Sequence, residues 1–145
     1  MIEVEKHVRS DRTVYCIKGT DILHREDGPA IELVDGRREW LVNGKLHRED
    51  GPAVEWPDGS KCWYINVRQH RVSGPALEWS DGAKEWYING KIHREDGPAA
   101  IYSNGKVDWY LNGVSYSKEE WFEALTKKQK VKALYSEYFI GSQYD

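Results

Sequence analysis

His24-Arg25-Glu26-Asp27-Gly28-Pro29-Ala30-Ile31-Glu32-Leu33-Val34-Asp35-Gly36-Arg37-Arg38-Glu39-Trp40-Leu41-Val42-Asn43-Gly44-Lys45-Leu46 is one unit of a repeat, and the next residue, His47, begins it again. His-Arg recurs at His24, His47, His70 and His93, a spacing of 23 residues each time. Gly-Pro-Ala keeps the same phase at Gly28, Gly51, Gly74 and Gly97, and Trp keeps it at Trp40, Trp63, Trp86 and Trp109. Asp35, Asp58, Asp81 and Asn104, each followed by Gly, complete the pattern. Four copies in register without an insertion make the chain a tandem array.

The unit reads as a β-hairpin. Asp58-Gly59 and its equivalents supply two turn residues suited to a type I′ connection, flanked by Ala53–Trp56 and Lys61–Ile65, which alternate with period two. A second turn, Asn43-Gly44 or Asn89-Gly90, leads into the next His-Arg-Glu-Asp-Gly-Pro-Ala segment. A two-residue loop at Asp-Gly would set Val54 opposite Trp63 and Trp56 opposite Lys61. The Trp row would then lie on the packed face with Val54 and Leu77. The Tyr64, Tyr87 and Tyr110 row would lie on the other face, with Glu32 facing Glu39 and Glu78 facing Glu85.

The predicted fold is mainly β: hairpin repeats in an elongated, curled antiparallel sheet, forming a single domain over 1–145. Residues 1–23 read as a degenerate N-terminal cap in which Thr20-Asp21 replaces Asn-Gly. Residues 24–115 hold the four repeats, and 116–145 a helical cap. Ser117-Lys118-Glu119-Glu120 and Thr126-Lys127-Lys128-Gln129 are capping boxes, predicting short helices over about 118–125 and 127–139.

Composition narrows the function classes. Of 145 residues, 21 are basic and 24 acidic, a mild mixed charge that does not steer the chain onto duplex nucleic acid;. No apolar run is long enough for a membrane span. The opening Met1–Lys6 lacks the apolar stretch of a signal peptide, so a cytoplasmic location is expected, in a host cell if the protein is viral. Cys16 and Cys62 are expected to be free thiols.

Trp86-Tyr87-Ile88-Asn89-Gly90-Lys91-Ile92-His93, with Gly97 and Asn104-Gly105 after it, resembles a MORN repeat over residues 24–113. Where MORN has His-Gly-x-Gly this chain has His-Arg-Glu-Asp-Gly-Pro-Ala, and its Trp stands one residue further from Asn-Gly. These departures are similar to a MORN-variant branch found in toxin-neutralising bacterial proteins and in phage and giant-virus proteins. The resemblance implies a curled sheet that binds proteins, sometimes lipid headgroups, and carries over no catalytic residue.

Chemistry-bearing residues have plain structural explanations. Equivalent histidines in such an array are too far apart to share one zinc ion, so hydrogen bonding at turns is the expected role, and no metal or other cofactor is expected. The carboxylate pairs could mark acid–base chemistry, but a catalytic site is usually unique and this pair recurs, so no enzyme activity is expected. The stronger signal is the irregular third unit, Asn66-Val67-Arg68-Gln69-His70-Arg71-Val72-Ser73-Gly74. There Val67 replaces a turn Gly, Gln69 an apolar residue, and Val72-Ser73 the Glu-Asp pair. Arg68, His70 and Arg71, with the stripe Tyr64, Tyr87 and Tyr110, are the candidate binding residues. The expected function is a non-enzymatic protein-binding module of a phage or mobile element. It would occlude a host protein or toxin in a counter-defence or antitoxin-like role. A small-ligand binder sequestering a nucleotide messenger, and a self-associating scaffold forming homo-oligomers, are the alternatives.

Overall fold

Each repeat contains two turns of different kinds, and the difference sets the register. In a computed structural model, which describes residues 1–136, both central residues of Asn43-Gly44, Asn66-Val67, Asn89-Gly90 and Asn112-Gly113 have positive φ. These are the type I′ turns. At the Asp-Gly sites only the glycine is left-handed, as at Gly59 with φ of 92°. The Gly59 N–H donates to the Trp56 carbonyl at 3.1 Å, and the Trp56 N–H to the Ser60 carbonyl at 3.0 Å. That is a three-residue loop, a type I turn closed by a glycine bulge, with Pro57 preset for the turn's second position. The Asp58 carboxylate accepts the Ser60 N–H at 2.8 Å.

The extra loop residue overturns the two-residue loop expected at Asp-Gly. Val54 opposes Cys62, not Trp63, and Glu55 opposes Lys61. A shift of one residue moves every side chain to the opposite face. The packed cluster is therefore Val54, Cys62 and Leu77, with Leu46, Trp56, Tyr64 and Tyr87 against it. The Trp63 row lies outside that cluster, and the expected carboxylate pairs do not form. Glu32 opposes Arg38, Glu39 opposes Ile31 and Val54, and Glu78 opposes Lys61 and Lys84.

The fold is the curled antiparallel hairpin-repeat sheet with a helical cap that the repeat predicts. Among the described residues eleven strands run in chain order through the main sheet, from Val4–Val8 and Arg12–Ile17 to Val107–Leu111 and Val114–Tyr116. Each of the first three repeats adds one pair, such as Val54–Glu55 with Lys61–Cys62, then leaves the main sheet to form a short ribbon such as Tyr64–Ile65 with Arg68–Gln69. Ribbons are tied to their neighbours by single backbone bonds, as where the Val67 N–H donates to the Leu46 carbonyl at 2.9 Å. Ala30, Ala53, Ala76 and Ala99 are completely buried where the chain re-enters the sheet.

Both ends depart from the repeat. At the N-terminal hairpin's edge Gly19, not Thr20-Asp21, supplies the positive φ, and Thr20 donates its N–H to the Ile17 carbonyl. At the other end α1 (Lys118–Ala124) and α2 (Lys127–Leu134) carry the two expected capping boxes. The second helix ends at Leu134, short of 139; Tyr138 and Phe139 lie outside the described residues. Ser117 stands in phase with Arg25, Arg48, Arg71 and Arg94 and caps α1 instead. The fully buried Trp121 then covers Trp109 at a centroid distance of 4.5 Å and donates its indole N–H to the Arg94 carbonyl at 2.9 Å. Among the described residues no helix is long and apolar enough to cross a membrane. Cys16 and Cys62 are free and buried.

Candidate functional site

The motif His-Arg-Glu-Asp-Gly-Pro-Ala builds one device, an arginine clamp, and repeats it. In each unit the Arg guanidinium lies over an aromatic ring of the preceding strand: Arg25 over Tyr15, Arg48 over Trp40, Arg71 over Trp63 and Arg94 over Trp86, at 3.8–4.0 Å. Its other face rests on the glycine of Gly-Pro-Ala. A Cβ built on Gly51 would stand 2.8 Å from the Arg48 Cζ, so a larger residue there would displace the guanidinium from this position;. One guanidinium arm donates to the proline carbonyl, Arg48 to Pro52 at 3.1 Å, and to a strand glutamate, Arg48 to Glu55 at 3.3 Å. The remaining edge is closed by the motif's own aspartate: Nε of Arg25, Arg48 and Arg94 donates to Asp27, Asp50 and Asp96 at 2.8–2.9 Å. Those hydrogen bonds hold the Asp27 and Asp50 carboxyls below their ordinary range;.

The histidines complete the frame. Nδ1 of His24, His47, His70 and His93 accepts the backbone N–H of Asn43, Asn66, Asn89 and Asn112, at 2.9–3.2 Å. Each ring therefore anchors the type I′ turn that follows it, in the role of turn hydrogen bonding expected of them. On the far side Nε2 of His24, His47 and His93 approaches the motif glutamate, at 3.3–3.6 Å. Among the described residues no group of three metal-ligating side chains comes together.

Between successive clamps runs a row of grooves. The groove between the first and second repeats, about 820 Å³, sets Arg25 and Arg48 against Glu26, Asp27, Glu49 and Asp50. The next, about 410 Å³, sets Arg48 and Arg71 against Glu49 and Asp50 only, because Val72 and Ser73 replace the third repeat's acids. The groove between the third and fourth repeats, about 720 Å³, holds Arg71, Arg94 and Lys132 against Glu95 and Asp96. Charge thus changes sign along the row.

The candidate residues fall in three places. His70 and Arg71 line the third-repeat grooves with Val72 and Ser73. Arg68 is exposed on the ribbon, where its stem lies beside Gly90 of the next repeat, so it does not join them. Tyr64 and Tyr87 are half-buried against the core cluster, and Tyr110 is half-buried on the last long strand. Burial pushes the Tyr64 phenol up to about 12, and burial with the Glu85 carboxylate, which accepts the Tyr87 hydroxyl at 2.9 Å, pushes Tyr87 up as well. Gln69 donates its amide to the Cys62 sulfur at 3.9 Å and thereby faces inward.

Two features escaped the sequence reading. Lys132 of α2 closes one wall of the groove between the third and fourth repeats. A further aromatic row, Trp56, Trp79 and Tyr102, sits beside the three-residue turns, with Trp56 and Trp79 at 6.1 Å and Trp79 and Tyr102 exposed. Its signal was available, because those residues share the 23-residue phase. No family model matches the chain, and neither the curated proteins nor the solved structures searched contain a match.

Proposed function

We propose that the chain is a non-enzymatic protein-binding repeat module whose recognition surface is the groove row at the third repeat. One observation carries this reading. The third repeat keeps every inward part of the clamp: Arg71 lies over Trp63 at 3.8 Å and donates to Pro75 and Glu78 at 3.0 and 2.8 Å. It changes the outward parts alone, replacing both motif acids by Val72, which is 83% exposed, and by Ser73. The turn that leads into it tolerates Val67 at φ of 63°, a conformation costly for a β-branched residue;. Backbone strain in a repeat that has an unstrained alternative three times over is what a functional segment looks like.

The reading extends to a phage or mobile-element protein that occludes a host protein or toxin, a role suggested by the resemblance to toxin-neutralising MORN variants. A nucleotide messenger is the weaker candidate, since one face of Trp40, Trp63 and Trp86 is already covered by a guanidinium. Tyr64 and Tyr87 serve as supporting wall rather than contact surface, given their packing on Val54, Cys62 and Leu77.

The test is capture from bacterial lysate on the immobilised chain, with calorimetry on the purified captured protein and mass spectrometry of co-purifying small molecules. A saturable one-to-one complex with one protein supports the module. A stoichiometric nucleotide with no saturable protein complex overturns it.

A further inference from the structure

We propose that the groove between the third and fourth repeats is a carboxylate seat, built to take an aspartate or glutamate side chain of the partner protein. This rests on the protein-binding reading and gives its partner a chemistry. In the other repeats the Arg Nε edge is closed from within, by Asp27, Asp50 and Asp96. The residue at that place in the third repeat is Ser73, and among the described residues no carboxylate reaches the Nε of Arg71. The Arg71 side chain is nevertheless held in place, over Trp63 at 3.8 Å and by its bonds to the Pro75 carbonyl and Glu78. A fixed guanidinium with one open edge is preorganised for a carboxylate, because the geometry is already set and little side-chain freedom is lost on binding.

Lys132 favours the same ligand, and the groove's own acids are already engaged. Asp96 is taken by Arg94 at 2.8 Å, and Glu95 is taken by His93 at 3.3 Å and by the Gln129 amide at 2.7 Å. Lys132, on the helical wall, pairs with no carboxylate among the described residues. The Arg71 charge is shared with Glu78 at 2.8 Å, so what the groove offers an acidic side chain is the open Arg71 Nε–H, a charge-assisted donor, with the Lys132 ammonium on the facing wall;. The exposed Val72 beside them provides an apolar rim for the stem of an acidic side chain;. The first groove offers no such edge, because Asp27 and Asp50 already close the Nε of Arg25 and Arg48 there;.

The ligand is thus an acidic side chain that replaces, from outside, the aspartate the repeat omits. The experiment follows the Arg Nε–H signals of the intact chain by ¹H–¹⁵N spectroscopy. The probes are an acetylated, amidated Gly-Asp-Gly-Asp-Gly peptide, its Asn counterpart, and inorganic phosphate. Arg25, Arg48 and Arg94 serve as internal controls for folding. The Asp peptide should shift the Arg71 signal alone, and the Asn peptide should not. Ser73→Asp should weaken the response by about tenfold or more, as expected when a charge-assisted hydrogen bond is pre-empted. Ser73→Ala should retain it, and Lys132→Ala should reduce it. No Arg71 response, a response unchanged by Ser73→Asp, or tighter binding of phosphate than of the Asp peptide overturns the seat. Peptide binding without any protein partner would sink the module reading and keep the seat. A captured partner indifferent to Ser73→Asp would do the reverse.

Discussion

The Arg48 guanidinium lies 4.0 Å above the Trp40 ring and donates its Nε–H to Asp50 at 2.9 Å, so a residue of one repeat locks a ring of the preceding one. The arrangement repeats at Arg94 with Trp86 and Asp96. Sheet strands of two or three residues bury too little apolar surface to hold each repeat independently, and the clamp supplies the missing junction;.

Replacing Arg48 by Lys should therefore cost more than a conservative surface change. Lys keeps the charge but loses the planar fork and most of the stacking on Trp40. The expected loss is about 1–2 kcal/mol, from one hydrogen bond to a carbonyl and two to carboxylates partly replaced;. Denaturant unfolding with an unchanged m-value checks it. A loss within the noise of a surface mutation would remove the clamp from the account of stability.

Ala76 has no exposed surface, and its N–H and carbonyl bond to Glu85 and Trp63 on neighbouring strands. Ala76→Leu should destabilise by overpacking, about 1–3 kcal/mol. Thermal unfolding should show a melting temperature several degrees lower, whereas an exposed site such as Lys84→Leu should barely move it.

Much of this was legible in the sequence, and the misses share a cause. The 23-residue phase, hairpin units, end caps and both capping boxes are all read from residue types at fixed spacing. The faces were misassigned because Asp-Gly suits two turns. A type I′ turn needs two left-handed residues, whereas the bulged type I turn needs only the glycine. Pro57 ahead of Asp58 was the available clue, since it sits naturally at the second position of a type I turn. The clamp itself was invisible for a different reason. It joins residues eight apart in sequence, Trp40 and Arg48, through a bend that no periodicity reports. The irregular segment was found because a repeat supplies its own standard of comparison; that Arg68 leaves the groove while Lys132 enters it is a matter of tertiary packing.

The tyrosines give a pH prediction with a definite sign. Tyr64, raised to about 12, and Tyr87, raised further, favour the neutral phenol in the folded state. Their contribution is complete below the unfolded-state value of about 10 and is lost as pH rises through the folded-state value. Spectrophotometric titration should show neither residue ionising at pH 11 while the fold persists. Tyr64→Phe and Tyr87→Phe should then leave the phenolate absorbance at that pH unchanged. A drop in absorbance equal to one tyrosine for either variant would place that ring in solvent.

The central claim is that the third repeat and the turn leading into it give up fold quality for recognition, and the variant Val67→Gly/Val72→Glu/Ser73→Asp tests it most directly. Gly relieves a left-handed β-branched residue, worth roughly 1–2 kcal/mol, and Asp closes the Arg71 edge as Asp50 closes that of Arg48. The measurement is affinity for the captured partner protein, taken with the melting temperature. The account predicts a variant that melts a few degrees higher and binds its partner at least tenfold more weakly. A variant that melts higher and binds as tightly as the parent chain would contradict it.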